Sequence, residues 1–202
     1  MSHIPAYRTD EELLEGLRQA APGALEAFLD RYADLVHSLI AKVTGDRAAA
    51  KTLLREAIVK TLASLDGIKS AKTLERQVLR EACALLQGPG GESDVRLEEL
   101  LPEMKGGSSV NVADWSLDPG EDERRSEERR VLRELVAAMP RQYALILVLH
   151  DMEECPLQML VETLQLPTQT VKERLHLARL HLRKALTKRL GAATAGREGS
   201  VS

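Results

Sequence analysis

Between Lys172 and Arg189 the chain carries seven basic side chains, Lys172, Arg174, Arg179, Arg183, Lys184, Lys188 and Arg189, against one acid, Glu173. Gln169, Lys172, His176, Arg179 and Arg183 recur at three- and four-residue steps, so a helix here presents them as one polar stripe. Ammonium and guanidinium groups attract phosphate, and amides hydrogen-bond base edges, so such a stripe suits the major groove of a nucleic-acid duplex. The same spacing also describes the solvated face of an ordinary helix, and the stripe alone does not separate the two readings.

What positions the stripe is legible on both sides of it. Val171, Leu175, Ala178 and Leu182 form an apolar seam alongside. Upstream, Pro156 to Leu164 is a short amphipathic segment, and Gln165, Leu166 and Pro167 interrupt it before the longer helix starts. Helix, short break, basic helix is the grammar of a helix-turn-helix. Many such units carry a small residue in the first helix and glycine at the turn, where the backbone goes left-handed; this chain has Val161 and Gln165. A side chain in that conformation costs roughly 1 kcal/mol or more.

Aromatic residues make up only 2% of the 202 residues, so any core is built from Leu, Ala, Val and Ile, which favours packed helices over a sheet. Thr9 or Asp10 caps a first helix with Leu13, Leu14 and Leu17 on its apolar side, broken at Pro22 and Gly23. A clean helical pattern follows through Leu25, Phe28, Leu29, Tyr32, Leu35, Val36, Leu39, Ile40 and Val43, with a stop at Gly45. Helices over about 47–65 and 71–86 complete a first bundle. From Gly88 the glycine-rich and acidic runs "GPGGES", "KGGSS" and "DPGEDE" read as a tether holding the lone Trp115, expected to dock weakly on one domain. A second bundle begins with Val131, Leu132, Leu135, Val136 and Met139, and "YALILVL" at 143–149 must be buried on most sides.

The fold class is therefore all-α, two small helical bundles joined by a flexible linker with a C-terminal helix-turn-helix. The bounds are 9–87 for the first domain, 88–127 for the acidic linker, 128–190 for the second domain and 191–202 for a disordered tail. The net charge of −3 hides a basic C-terminal region and an acidic middle, so it does not exclude nucleic acid. Cys83 and Cys155 lack CxxC spacing, and neither a signal peptide nor a long apolar run opens the chain, so a reduced, cytoplasmic protein with no membrane partner is expected. No phosphate-cradling loop, nucleophile elbow or zinc spacing occurs, so no catalytic residue, cofactor or metal is assigned. His150, Asp151, Glu153, Glu154 and Cys155 cluster in sequence, but one thiol and one imidazole on a turn make a poor ligand set.

Taken together, "DEELLEGLRQAAPGALEAFLDRYADLVHSLIAKVTGD" at 10–46, "DPGEDERRSEERRVLRELVAAMPRQYALILVLHDMEE" at 118–154 and "TVKERLHLARLHLRKAL" at 170–186 resemble the extracytoplasmic-function class of bacterial RNA polymerase sigma factors. The resemblance implies a promoter-selectivity subunit without catalysis. Its partners would be promoter DNA, core RNA polymerase and an anti-sigma or other regulatory protein. It puts Thr168, Gln169, Thr170, Lys172, Arg174, His176 and Arg179 at recognition-helix positions, and Arg183, from the stripe, joins them as a DNA-binding candidate. By their spacing, Lys72, Arg76 and Arg80, at four-residue steps on the fourth helix, either follow a DNA backbone from the first domain or form a solvated face, the commoner use of such spacing.

Some positions depart from the family. Ala49, Lys51, Thr52 and Arg55 stand where an acidic, Gln-rich polymerase-facing surface is usual, and like charges facing one another at an interface can cost several kcal/mol. Ile58, Leu62, Gln77 and Leu79 replace aromatics that would hold unstacked bases. Leu177 and Leu180 make a second apolar stripe on the last helix, as expected of a surface covered by another helix. Lys51, Arg55, Leu177 and Leu180 thus mark a polymerase or partner surface. They support a second reading, a divergent regulator or adaptor that acts through protein contacts and no longer engages core polymerase productively.

Overall fold

The computed structural model describes residues 7–88 and 124–198, apart from the side chains of 71, 72, 124–127 and 190–198. Most of the tether, Trp115 within it, and residues 199–202 lie outside the described residues. Among the described residues there are eight α-helices and no strand: α1 (Asp10–Arg18), α2 (Ala24–Thr44), α3 (Arg47–Ala63), α4 (Ala71–Gln87), α5 (Arg124–Ala138), α6 (Arg141–Leu147), α7 (Leu157–Leu164) and α8 (Thr168–Glu198). A 3-10 turn (Leu65–Gly67) precedes α4 and a π turn (Val148–Met152) follows α6. Among these residues no helix is long and apolar enough to cross a membrane.

Local chemistry sets the helix ends. Glu12 N–H donates to Thr9 Oγ1 at 3.1 Å while the Glu12 carboxylate accepts from Thr9 N–H, a reciprocal box that opens α1. Asp46 accepts from the N–H groups of Ala48 and Ala49 at the start of α3. Gly45 ends α2 with φ +70°, and a Cβ there would lie 2.8 Å from the Ala137 Cβ, so this glycine also lets α5 approach.

Helices α1 to α4 pack on one another, α6, α7 and α8 form a second group with α5 against α8, and the two groups meet. Helix α2 contacts α5, α6 and the π turn, and α4 contacts α6 and α7. One continuous apolar core results, running from Leu13, Phe28 and Ile40 through Leu74 and Val78 to Leu145, Ile146, Val171 and Ala178. The run Tyr143 to Leu149 is buried throughout, as its unbroken apolar character requires.

Several details differ from the sequence reading. Leu25, placed on the apolar side of α2, is 45% exposed because it lies in the first turn of that helix, at the margin of the bundle. Helix α3 buries Ala50, Ala57 and Thr61, while Leu53, Leu54, Ile58 and Leu62 are only half-buried. Helix α5 starts at Arg124, four residues inside the stretch read as tether, and α8 runs on to Glu198 into the stretch read as tail.

Candidate nucleic-acid interface

The chain enters the helix-turn-helix through the π turn. Glu153 N–H donates to Val148 O at 3.0 Å and Cys155 N–H to Leu149 O at 2.8 Å, a wide closure that swings Asp151 toward α8. Arg179 grips this carboxylate with both faces of its fork: Nε donates to Asp151 Oδ2 at 2.8 Å and Nη2 to Oδ1 at 2.5 Å. Asp151 is only 12% exposed, and its hydrogen bond raises the Arg179 pKa. Glu154 next takes φ +54°, and Pro156 leads into α7.

Helix α7 ends at Gln165, whose φ of +54° and ψ of +36° are left-handed. The turn position where glycine was expected therefore has the backbone glycine would favour, filled by a glutamine. Helix α8 then buries Val171, Leu175, Ala178 and Leu182, the four seam residues read from sequence. This seam rests on α6 and α7, and Arg189 reaches Glu134 of α5 at 2.7 Å. That bond, with Arg130 beside it, holds the Glu134 carboxyl below the usual glutamate range.

With the seam fixed, the polar stripe takes its place. Thr168, Gln169, Lys172, His176 and Arg183 are exposed, while Thr170 and Arg174 are half-buried. Gln169 Nε2 donates to the Glu173 carboxylate at 2.8 Å, so the acid on this face is tied to a neighbour one turn away. Arg179 falls on the stripe by spacing, but its guanidinium is committed to Asp151. The accessible ridge is thus Gln169, Lys172 and His176 over the first turns of α8, with Arg183, Lys184 and Lys188 exposed further along.

The cations proposed for the first group are arranged otherwise. Arg76 forms an ion pair with Glu162 of α7, and Arg80 Nη2 donates to the Glu162 backbone carbonyl at 3.0 Å. The Lys72 side chain lies outside what the structure describes. Lys51 and Arg55 are exposed on α3. Leu177 is half-buried against the molecule's own core and Leu180 is half-buried, so Leu177 is covered largely from within.

The residues clustered at 150–155 have other occupations. Asp151 holds Arg179, Glu153 accepts from Ser38 and Lys42, and Cys155 is buried with its thiol pushed up to about 11 by desolvation first, then by Glu75 and Glu153. Sequence periodicity found the α8 stripe; Asp151 and Glu153 were read only as members of a poor ligand set, without their cationic partners, and Glu162 was missed. An acid following an apolar run was their only local signal.

Residues 129–182 match the family described as sigma-70, region 4. The matched stretch runs from α5 through the first half of α8 and so includes the helix-turn-helix corner. No curated protein matches the chain.

Proposed function

We propose that this protein is a sigma factor of the extracytoplasmic-function type, acting in the cytoplasm to bring core RNA polymerase to a set of promoters. Helix α8 enters the major groove with Gln169, Lys172 and His176 toward the bases. Thr168, Thr170, Arg174 and Arg183 lie toward the phosphates. Arg179 serves differently, as a positioning residue that locks the π turn to α8 through Asp151. The observation that carries the reading is the open first half of α8, with Lys172, His176 and the Gln169 amide exposed beside a buried seam, inside the segment that matches sigma-70 region 4. The domain division into 9–87 and 128–190 belongs to the same reading, the first domain gripping polymerase and the second the upstream promoter element. Pull-down of core enzyme followed by run-off transcription tests it. Association with promoter-dependent transcripts is expected, and failure to bind core enzyme removes the claim.

A second reading, a regulator or adaptor working through protein contacts, draws on α3, where Val59 is 64% exposed beside Lys51 and Arg55. It predicts no polymerase binding and no DNA binding at low salt, with a stable complex or dimer in size measurements.

A further inference from the structure

The one acid in the cationic stretch of α8 is bonded to a polar residue of the reading face. Gln169 and Glu173 are both exposed and lie one turn apart, and Gln169 Nε2 donates to the Glu173 carboxylate at 2.8 Å. An anion beside a duplex repels phosphate, so attraction to the backbone does not account for an acid at this place. What the contact fixes is the orientation of an amide. A carboxylate only accepts hydrogen bonds, so Gln169 must turn its nitrogen, and not its oxygen, toward Glu173. The reversed amide would set two acceptors against each other.

The Gln169 amide has two N–H donors and one carbonyl acceptor. With one N–H held by Glu173, one donor and one acceptor remain for a ligand. Base edges in the major groove differ in their pattern of donors and acceptors. Adenine presents the N7 acceptor beside the N6 amino donor and matches both groups. Guanine presents two acceptors, N7 and O6, so the Gln169 oxygen would meet O6 with no proton between them. Cytosine offers a donor and thymine an acceptor, and each satisfies half of the amide. Gln169 is the second residue of α8, and the N-terminal residues of a recognition helix are the ones that reach base edges. Lys172 and His176 are exposed on the same face.

We infer that Gln169 reads an adenine in the major groove, and that Glu173 is the positioning residue that holds its amide in the adenine-reading orientation and so disfavours guanine. The inference rests on the reading that α8 enters duplex DNA, and it names one base of the sequence that helix selects. Gln169 Oε1 accepts from adenine N6–H, and the remaining Nε2–H donates to N7. Glu173 acts through Gln169 and touches neither base nor phosphate.

The test uses the full chain and short duplexes with a randomised central stretch, selected at low salt, followed by titration of single-position variants of the selected duplex. The wild-type protein should select an adenine at one position, where any other base lowers affinity on the order of tenfold. 7-Deazaadenine, which lacks N7, and purine, which lacks the amino group, should each lower affinity there by roughly fivefold. Q169A should bind all four bases at that position within about twofold of one another. E173A and E173Q should raise guanine relative to adenine by roughly fivefold at that position alone, because alanine releases the amide and glutamine can also donate to it. E173D keeps an acceptor-only carboxylate at the same helical spacing and should restore the adenine preference. A role confined to helix stability would move the unfolding midpoint and leave base preference alone. Selection of no base, or of a base other than adenine, at the position that Q169A alters overturns the inference. So does a preference that Q169A leaves unaltered, or an adenine-to-guanine ratio that E173A and E173Q leave as it was. A cytosine preference lost in E173A would make Glu173 itself the reader, through cytosine N4, and also overturns it. In each of those cases the protein still binds duplex DNA, and the α8 reading stands. Absence of binding to any duplex at low salt removes both.

Discussion

Helices α4 and α8 both carry cations at three- and four-residue steps, yet Arg76 and Arg80 of α4 end on Glu162 while Lys172 and Arg183 of α8 lie exposed. Spacing is the same, and the outcome differs because one helix packs against a segment that supplies an anion. Arg179 makes the point within α8 itself. It shares a face with Lys172 and His176, but the π turn carries Asp151 to it, and that cation becomes internal. A cationic stripe in a sequence is therefore a statement about attraction to some anion, and the tertiary fold decides whether that anion is external or the protein's own.

The contrast can be broken most forcefully from the core the two faces share. Leu145 is fully buried in the apolar cluster that joins both groups of helices. Leu145→Ala should cost about 2–5 kcal/mol in urea unfolding and, if the core is continuous, should shift a single cooperative transition. Two separate transitions, only one of them moved, would show that the groups fold independently.

Next in size is the comparison of Arg179 with Lys172. Arg179→Ala leaves Asp151 nearly buried without its fork, so stability should fall by about 1–3 kcal/mol while the salt slope of DNA binding stays as it was. A salt slope reduced as much as by loss of Lys172 would instead make Arg179 a phosphate contact.

The corner itself offers a smaller effect. Glu154 and Gln165 both hold φ +54°, so Glu154→Gly and Gln165→Gly should each stabilise by about 0.5–1 kcal/mol, read as a shift of the urea midpoint. Destabilisation by either change would mean that the side chain contributes more than its backbone strain costs.

The smallest effect concerns pH. Burial, with Asp10 nearby, raises the Glu75 pKa above its ordinary value. A raised carboxyl favours the folded state while protonated, so stability should decline as pH rises from the ordinary glutamate pKa through the folded value, then level off. Glu75→Gln should flatten that part of the pH–stability curve. Glu134 and Glu162 act in the opposite sense, their lowered pKa values adding stability that is lost as pH falls through the folded values. An unchanged curve for Glu75→Gln would refute the burial argument.

Most of the architecture was legible because helical periodicity and breaks are local properties. Val171, Leu175, Ala178 and Leu182 were read as the seam of α8 and all four are buried. The break at Gln165 to Pro167 and the stop at Gly45 followed from turn chemistry, and both positions have left-handed backbone. Long-range partners were not legible. Nothing near residue 76 announces an acid at residue 162, and the half-burial of Leu177 depends on how α8 lies on the rest of the fold. Those contacts are fixed by tertiary packing, which periodicity does not encode.

The account turns on Lys172 and the open half of α8, and titration of duplex DNA at several salt concentrations tests it most directly. The wild-type protein should bind, with affinity falling steeply as salt rises, and Lys172→Ala should lower affinity and flatten the log–log slope by about one unit without changing the unfolding midpoint. Superimposable titrations of the two proteins, or no binding by either at low salt, would contradict it.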